Sequence, residues 1–140
     1  MKRTASAVWN GGLKGGNGKM SSNSGVLSDT QFSFSTRFEN GIGTNPEELI
    51  AAAHAGCFSM AFSAELEKAG FSPESVNTNS TLTFEKTDAG FTITTIHLDV
   101  VASVPEISAD DFAKIAEGAK GGCPVSRVLN AEITLDAKLA

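Results

Sequence analysis

The stretch Thr44-Asn45-Pro46-Glu47-Glu48-Leu49-Ile50-Ala51-Ala52-Ala53-His54-Ala55-Gly56-Cys57-Phe58 constrains the fold more than any other. It has the marks of a helix start. Asn45 is a good N-cap, Pro46 suits the first helical position, and Glu48 stands three residues after the cap, where it closes a capping box. From Leu49 to Ala64 nearly every residue is apolar or small, so the helix is expected to be enclosed by protein on most sides. It is expected to run to about Lys68 and to stop at Gly70. In the middle of this run lies Cys57, one of two cysteines in the chain.

The remaining elements follow from local patterning. Thr4 to Trp9 alternates weakly and predicts a strand, and a second is expected near Lys19 to Ser24. The Gly11–Gly18 segment between them lacks the glycine and hydroxyl positions of a phosphate loop and reads as a flexible turn. Gln31 to Phe38 puts Phe32, Phe34, Thr36 and Phe38 in one phase, a strand with an aromatic face from which Arg37 points away. Val76–Lys86 and Phe91–Val104, joined at Asp88-Ala89-Gly90, predict a hairpin. Ser108 caps a helix with the stripe Phe112, Ile115, Ala116 and Ala119, which Gly121-Gly122 ends. A short helix follows Cys123-Pro124, and Ala131 to Leu139 closes the chain as a strand. This order predicts a single α+β domain over residues 1–140, with antiparallel sheets around the long central helix.

Composition narrows the function. A net charge of −5 with scattered basic residues gives no electrostatic footprint for nucleic acid or an anionic membrane. The apolar run is short, alanine-rich and interrupted by His54, Gly56 and Ser59, which favours a core helix over a membrane span. The basic N-terminus is followed by no apolar block, so a cytoplasmic setting is expected. There thiols stay reduced, and any pairing of two cysteines is transient. Cys123 precedes Pro124 at a helix start, where backbone N–H groups favour a thiolate. Cys57, mid-helix among apolar residues, needs a nearby cation to be reactive. The plain alternative is two small buried hydrophobes.

The motifs decide between these readings. Gly43-Thr44-Asn45-Pro46-Glu47-Glu48-Leu49, followed by Ala52-Ala53-His54-Ala55-Gly56-Cys57-Phe58, resembles the signature of the OsmC/Ohr family of bacterial thiol peroxidases. Gly122-Cys123-Pro124-Val125-Ser126 is similar to that family's second cysteine motif, and Ser35-Thr36-Arg37-Phe38 to the patterning before its central helix. The likeness covers essentially the whole chain, and its flanks look closer to the osmotically induced branch. It implies that Cys57 attacks a hydroperoxide to give an alcohol and a sulfenic acid, and that Cys123 resolves this to a Cys57–Cys123 disulfide. It implies no bound cofactor, but an external dithiol reductant, typically a lipoylated protein.

On the same resemblance Arg37 is the cation that keeps Cys57 ionised, and Glu47 holds its guanidinium. Arg3 and Arg127 are the other arginines available. Glu47 and Cys57 stand about 15 Å apart along a straight helix, so the arginine bridges them or the residues come from different chains. The family points to the second arrangement, an intertwined homodimer with active sites at the subunit interface. His54 reads as a core or interface histidine or as a group that tunes the thiolate. The phenylalanines read as core, or as a pocket favouring organic peroxides. Two other readings remain open: a metal site from His54, Cys57, His97 and Cys123, and a non-catalytic binder of small apolar molecules.

Overall fold

A computed structural model describes all residues, Met1–Ala140. The chain forms six strands and four helices, in two compact units, Met1–Leu49 and Ile50–Ala140.

In the first unit β1 (Ala5–Asn10), β2 (Asn17–Ser22) and β3 (Thr30–Ser33) make an antiparallel three-stranded sheet. Gly18 of β2 lies against the ring of Phe32, where a β-carbon would come within 2.5 Å of it. The expected strand from Gln31 to Phe38 is only half correct. After Ser33 the chain turns into α1 (Phe34–Phe38). Ser33 and Thr36 close a reciprocal capping box there, with Ser33 N–H donating to Thr36 Oγ1 at 2.9 Å and Thr36 N–H to Ser33 Oγ at 3.3 Å. Helical spacing then brings Phe34 and Phe38 together at i, i+4, with ring centroids 4.8 Å apart. An aromatic period of two and a four-residue helical pair coincide over so short a run, and the cap decides. Arg37 consequently does not point away from the aromatic residues; its guanidinium stands 5.3 Å from the Phe38 ring centroid.

The long helix α2 (Pro46–Lys68) opens at Asn45, whose Oδ1 accepts the Glu48 N–H at 2.8 Å. The Glu48 carboxylate takes the Thr44 hydroxyl at 2.8 Å. At the other end Gly70 adopts a positive φ of 91°, as a C-terminal stop requires.

In the second unit β4 (Ser75–Thr87) and β5 (Gly90–Ser103) form the expected hairpin. β6 (Glu132–Leu139) then pairs with β5 in parallel, a departure from purely antiparallel sheets. The chain between β5 and β6 carries α3 (Ala109–Gly122) and α4 (Pro124–Val128), a crossover long enough to bring the last strand back in the same direction. The core gathers Phe58, Phe62 and Leu66 from α2, Ile96, Leu98, Val100 and Ala102 from β5, and Phe112, Ala116, Ala119 and Cys123 along α3 and its end.

Within one chain the enclosure of α2 is partial. His54, Phe58, Phe62 and Leu66 form a fully buried stripe at four-residue spacing. Ala52, Ala53, Gly56, Met60 and Ala64 line an exposed one, with Met60 78% exposed. The helix is long and apolar enough by composition to cross a bilayer, but its buried stripe is committed to the protein core.

Candidate active site

In the first unit Arg37, the penultimate residue of α1, meets Glu47 in the first turn of α2. Arg37 Nη2 donates to Glu47 Oε1 at 2.6 Å, and its Nε donates to Oε1 and Oε2 at 3.0 and 3.2 Å. The Asn45 side chain ties the two elements, donating from Nδ2 to the Thr36 carbonyl at 2.9 Å. Glu47 is nearly buried while Arg37 keeps 38% of its side chain exposed, so a fixed carboxylate aims a partly exposed guanidinium. Arg37 also borders a cavity of about 270 Å³ lined by Trp9, Leu13, Phe32, Phe34, Phe38 and Pro46. The sequence marked the phenylalanines of this pocket but not Trp9 or Leu13, which a strand and a glycine-rich turn bring to it.

In the second unit both cysteines are free, with their sulfurs 3.1 Å apart. Cys57 is half-buried on α2, and Cys123 is fully buried where α3 ends and α4 begins. Their acidities diverge. Burial, then the hydrogen bond and charge of Cys123, push the Cys57 thiol up, and the Val125 backbone amide offsets this only in part. Burial opposes the Cys123 thiolate too, but the Ser126 amide, the Cys57 thiol, the Ser126 hydroxyl and the Val125 amide outweigh it and lower its pKa. In a single chain Cys57 is thus the less acidic of the two thiols, as the sequence anticipated for a cysteine lacking a cation.

His54 is fully buried one turn before Cys57. Its Nε2 is 2.8 Å from Ser126 Oγ, its Nδ1 has no partner, and burial lowers its pKa. Ser126 closes the second cysteine motif without an evident role of its own; its spacing, three residues after Cys123 in a helical turn, is the signal that links the two. His97 pairs instead with Thr134, Nδ1 to Oγ1 at 2.7 Å. No three His, Cys, Asp or Glu side chains gather in metal-ligating range, so the four-ligand site is not formed. Arg3 reaches only the Lys2 carbonyl, and Arg127 is exposed on α4.

Two apposed, unbonded thiols on an α+β scaffold, one buried and the other half-buried, are an arrangement that can close to a disulfide. The family model described as OsmC-like protein matches residues 39–138, and the chain belongs to that family. Peroxiredoxin OsmC of Escherichia coli (strain K12) is 54% identical over 133 residues, 95% of this chain and 93% of that protein. An Organic hydroperoxide resistance protein-like 2 of Staphylococcus epidermidis is 31% identical over 102 residues, 70% of each chain. Among solved structures, the organic hydroperoxide resistance protein OhrB of Bacillus subtilis superposes with a TM-score of 0.72 over 96% of this chain and 98% of its own, at 24% identity.

Proposed function

We propose that this protein is a thiol-dependent peroxidase that reduces organic hydroperoxides to alcohols, with Cys57 as nucleophile and Cys123 as resolving cysteine. The observation that carries this reading is the 3.1 Å separation of the two free sulfurs. A disulfide bond is only about 1 Å shorter, so the pair can close without refolding either helix.

The Cys57 thiolate attacks the distal oxygen of the hydroperoxide. The O–O bond breaks, the alkoxide leaves and takes up a proton to become the alcohol, and Cys57 becomes a sulfenic acid. The Cys123 thiolate attacks that sulfur and expels hydroxide, which is protonated to water, leaving the Cys57–Cys123 disulfide. An external dithiol, by family resemblance a lipoylated protein, reduces it, in the cytoplasm.

Burial raises the Cys57 pKa, and Arg37 is the cation that reverses this. Glu47 and Cys57 are ten residues apart on one continuous helix, about 15 Å of axial rise. We therefore assign the Arg37–Glu47 pair of one subunit to Cys57 of a second, in a homodimer built on the exposed stripe of α2. The apolar cavity beside Arg37 suits the organic substituent of the substrate.

Thiol counting after one equivalent of cumene hydroperoxide tests this reading. The wild type is expected to lose two thiols, Cys57→Ser none, and Cys123→Ser one without further turnover. Full turnover by Cys57→Ser would overturn it.

A further inference from the structure

His54 is a fully buried histidine that the peroxidase chemistry above leaves without a task. The hydrogen-bonding capacity of its neighbours gives it one. Nε2 lies 2.8 Å from Ser126 Oγ, and Nδ1 is buried with no partner. Two arrangements of protons satisfy the short contact. If Ser126 donates to His54, the ring proton sits on Nδ1 as a buried donor with nothing to accept it, which costs more than an idle lone pair. If Nε2 carries the proton and donates to Ser126 Oγ, only a lone pair is left idle, and the serine hydroxyl is free to donate elsewhere. The second arrangement wins on this count. Cys123 is the N-cap of α4 and Ser126 its third residue, the position from which a side chain reaches back to the cap, and the Ser126 hydroxyl favours the Cys123 thiolate.

Resting on the peroxidase reading, we propose that His54 and Ser126 form a positioning dyad for Cys123. His54 Nε2–H donates to Ser126 Oγ, and the Ser126 hydroxyl donates to the Cys123 sulfur, making Cys123 the thiolate that leaves when the disulfide is opened. Access fixes the same regiochemistry. Cys123 is fully buried whereas Cys57 is half-buried, so an incoming thiolate reaches the Cys57 sulfur. A bond forms between the reductant sulfur and Cys57, the Cys57–Cys123 bond breaks, and its electron pair stays on Cys123. The second thiol of the dithiol then attacks its own sulfur in this mixed disulfide and releases Cys57. The reductant leaves as an intramolecular disulfide, and its two protons go to the protein thiols or to solvent.

The dyad acts on the equilibrium between disulfide and dithiol, which can be measured against dithiothreitol at neutral pH by mass-shift thiol labelling. Ser126→Ala removes a hydrogen bond to a charged sulfur. It is expected to shift the equilibrium about tenfold toward the disulfide, about 30 mV more negative in potential. Ser126→Thr keeps the hydroxyl and is expected to stay within about twofold of the wild type, because one methyl leaves the donor in place. His54→Gln keeps an N–H donor and should hold the wild-type value, while His54→Leu should shift it in the same direction as Ser126→Ala. Since His54 acts through Ser126, His54→Leu should add little in the Ser126→Ala background.

An unchanged equilibrium in Ser126→Ala overturns the dyad, and so does a full additive effect of His54→Leu in that background. Should His54→Leu not fold, the alanine and threonine variants of Ser126 decide the matter. No step of this measurement involves a peroxide. A wild type that forms the disulfide with diamide but loses no thiols to hydroperoxide would therefore sink the peroxidase reading, while the dyad would still be judged by the equilibrium.

Discussion

The guanidinium of Arg37 is gripped by Glu47 through Nε and Nη2, with the shortest contact at 2.6 Å. The carboxylate is nearly buried and the guanidinium is not, so Glu47 sets the direction in which Arg37 presents its charge. Arg37→Met is expected to lower kcat/KM for an organic hydroperoxide by about 10²–10³, the loss typical of removing one preorganised charge from a reacting site. Glu47→Gln should cost less, since the arginine is misdirected rather than lost. Stopped-flow consumption of hydroperoxide measures both. Mixed dimers of Arg37→Met and Cys57→Ser subunits separate the two geometries. A site shared across subunits regains one intact copy per mixed dimer, whereas a site within one subunit regains none.

The exposed stripe of α2 makes a second prediction. Met60, 78% exposed on an apolar helix face, becomes a core contact if that face is the dimer interface. Met60→Glu should then yield monomers by analytical ultracentrifugation and lose most peroxidase activity, while its circular dichroism stays helical. A fully active monomer would remove the shared site.

The pocket beside Arg37 can be narrowed from behind. A β-carbon on Gly18 would stand 2.5 Å from the Phe32 ring and 2.7 Å from the Val8 carbonyl oxygen. Gly18→Ala must push the ring toward the cavity or open the sheet, at a cost of about 1–3 kcal/mol. KM for cumene hydroperoxide should rise, with little change for hydrogen peroxide, and a thermal melt gives the stability term.

His54 also makes stability depend on pH. Burial lowers its pKa below 6.5, so the folded chain holds it neutral while the unfolded chain takes up a proton near that value. In the window below 6.5 the unfolded state binds more protons, and stability rises with pH there. The contribution is complete above 6.5 and is lost as pH falls toward the folded pKa. Melting temperatures at about pH 5.5 and about pH 7.5 bracket the change expected of a buried histidine. His54→Gln should remove that part of the slope.

Much of this was legible in the residues. The Asn45 cap, the Gly70 stop, the hairpin at Asp88–Gly90 and the capped stripe of α3 follow from local chemistry, and the structure repeats them. Local chemistry also misled at Gln31–Phe38, where alternation suggested one strand and a Ser33–Thr36 box instead started a helix. The direction of β6 depends on how a crossover returns, which no single segment encodes. Cys57, Cys123, Arg37 and Glu47 stand out by motif. Ser126 lies in the same motif as Cys123 but shows no role there, because its partner is a side chain 72 positions away in sequence.

The place of Cys123 at the joint of two helices has one more consequence. Its N–H is held by the Ala119 carbonyl, and its own carbonyl accepts the Arg127 N–H, so the backbone carrying this sulfur is fixed on both sides. Disulfide formation at a 3.1 Å approach needs no loop to unwind first. On the proposed mechanism a sulfenic acid at Cys57 would be intercepted where it forms, before a second peroxide molecule could carry it on to the sulfinic acid. Such a fold would guard its own nucleophile against overoxidation, and the protein should keep working under a peroxide load that inactivates thiol enzymes with distant resolving cysteines.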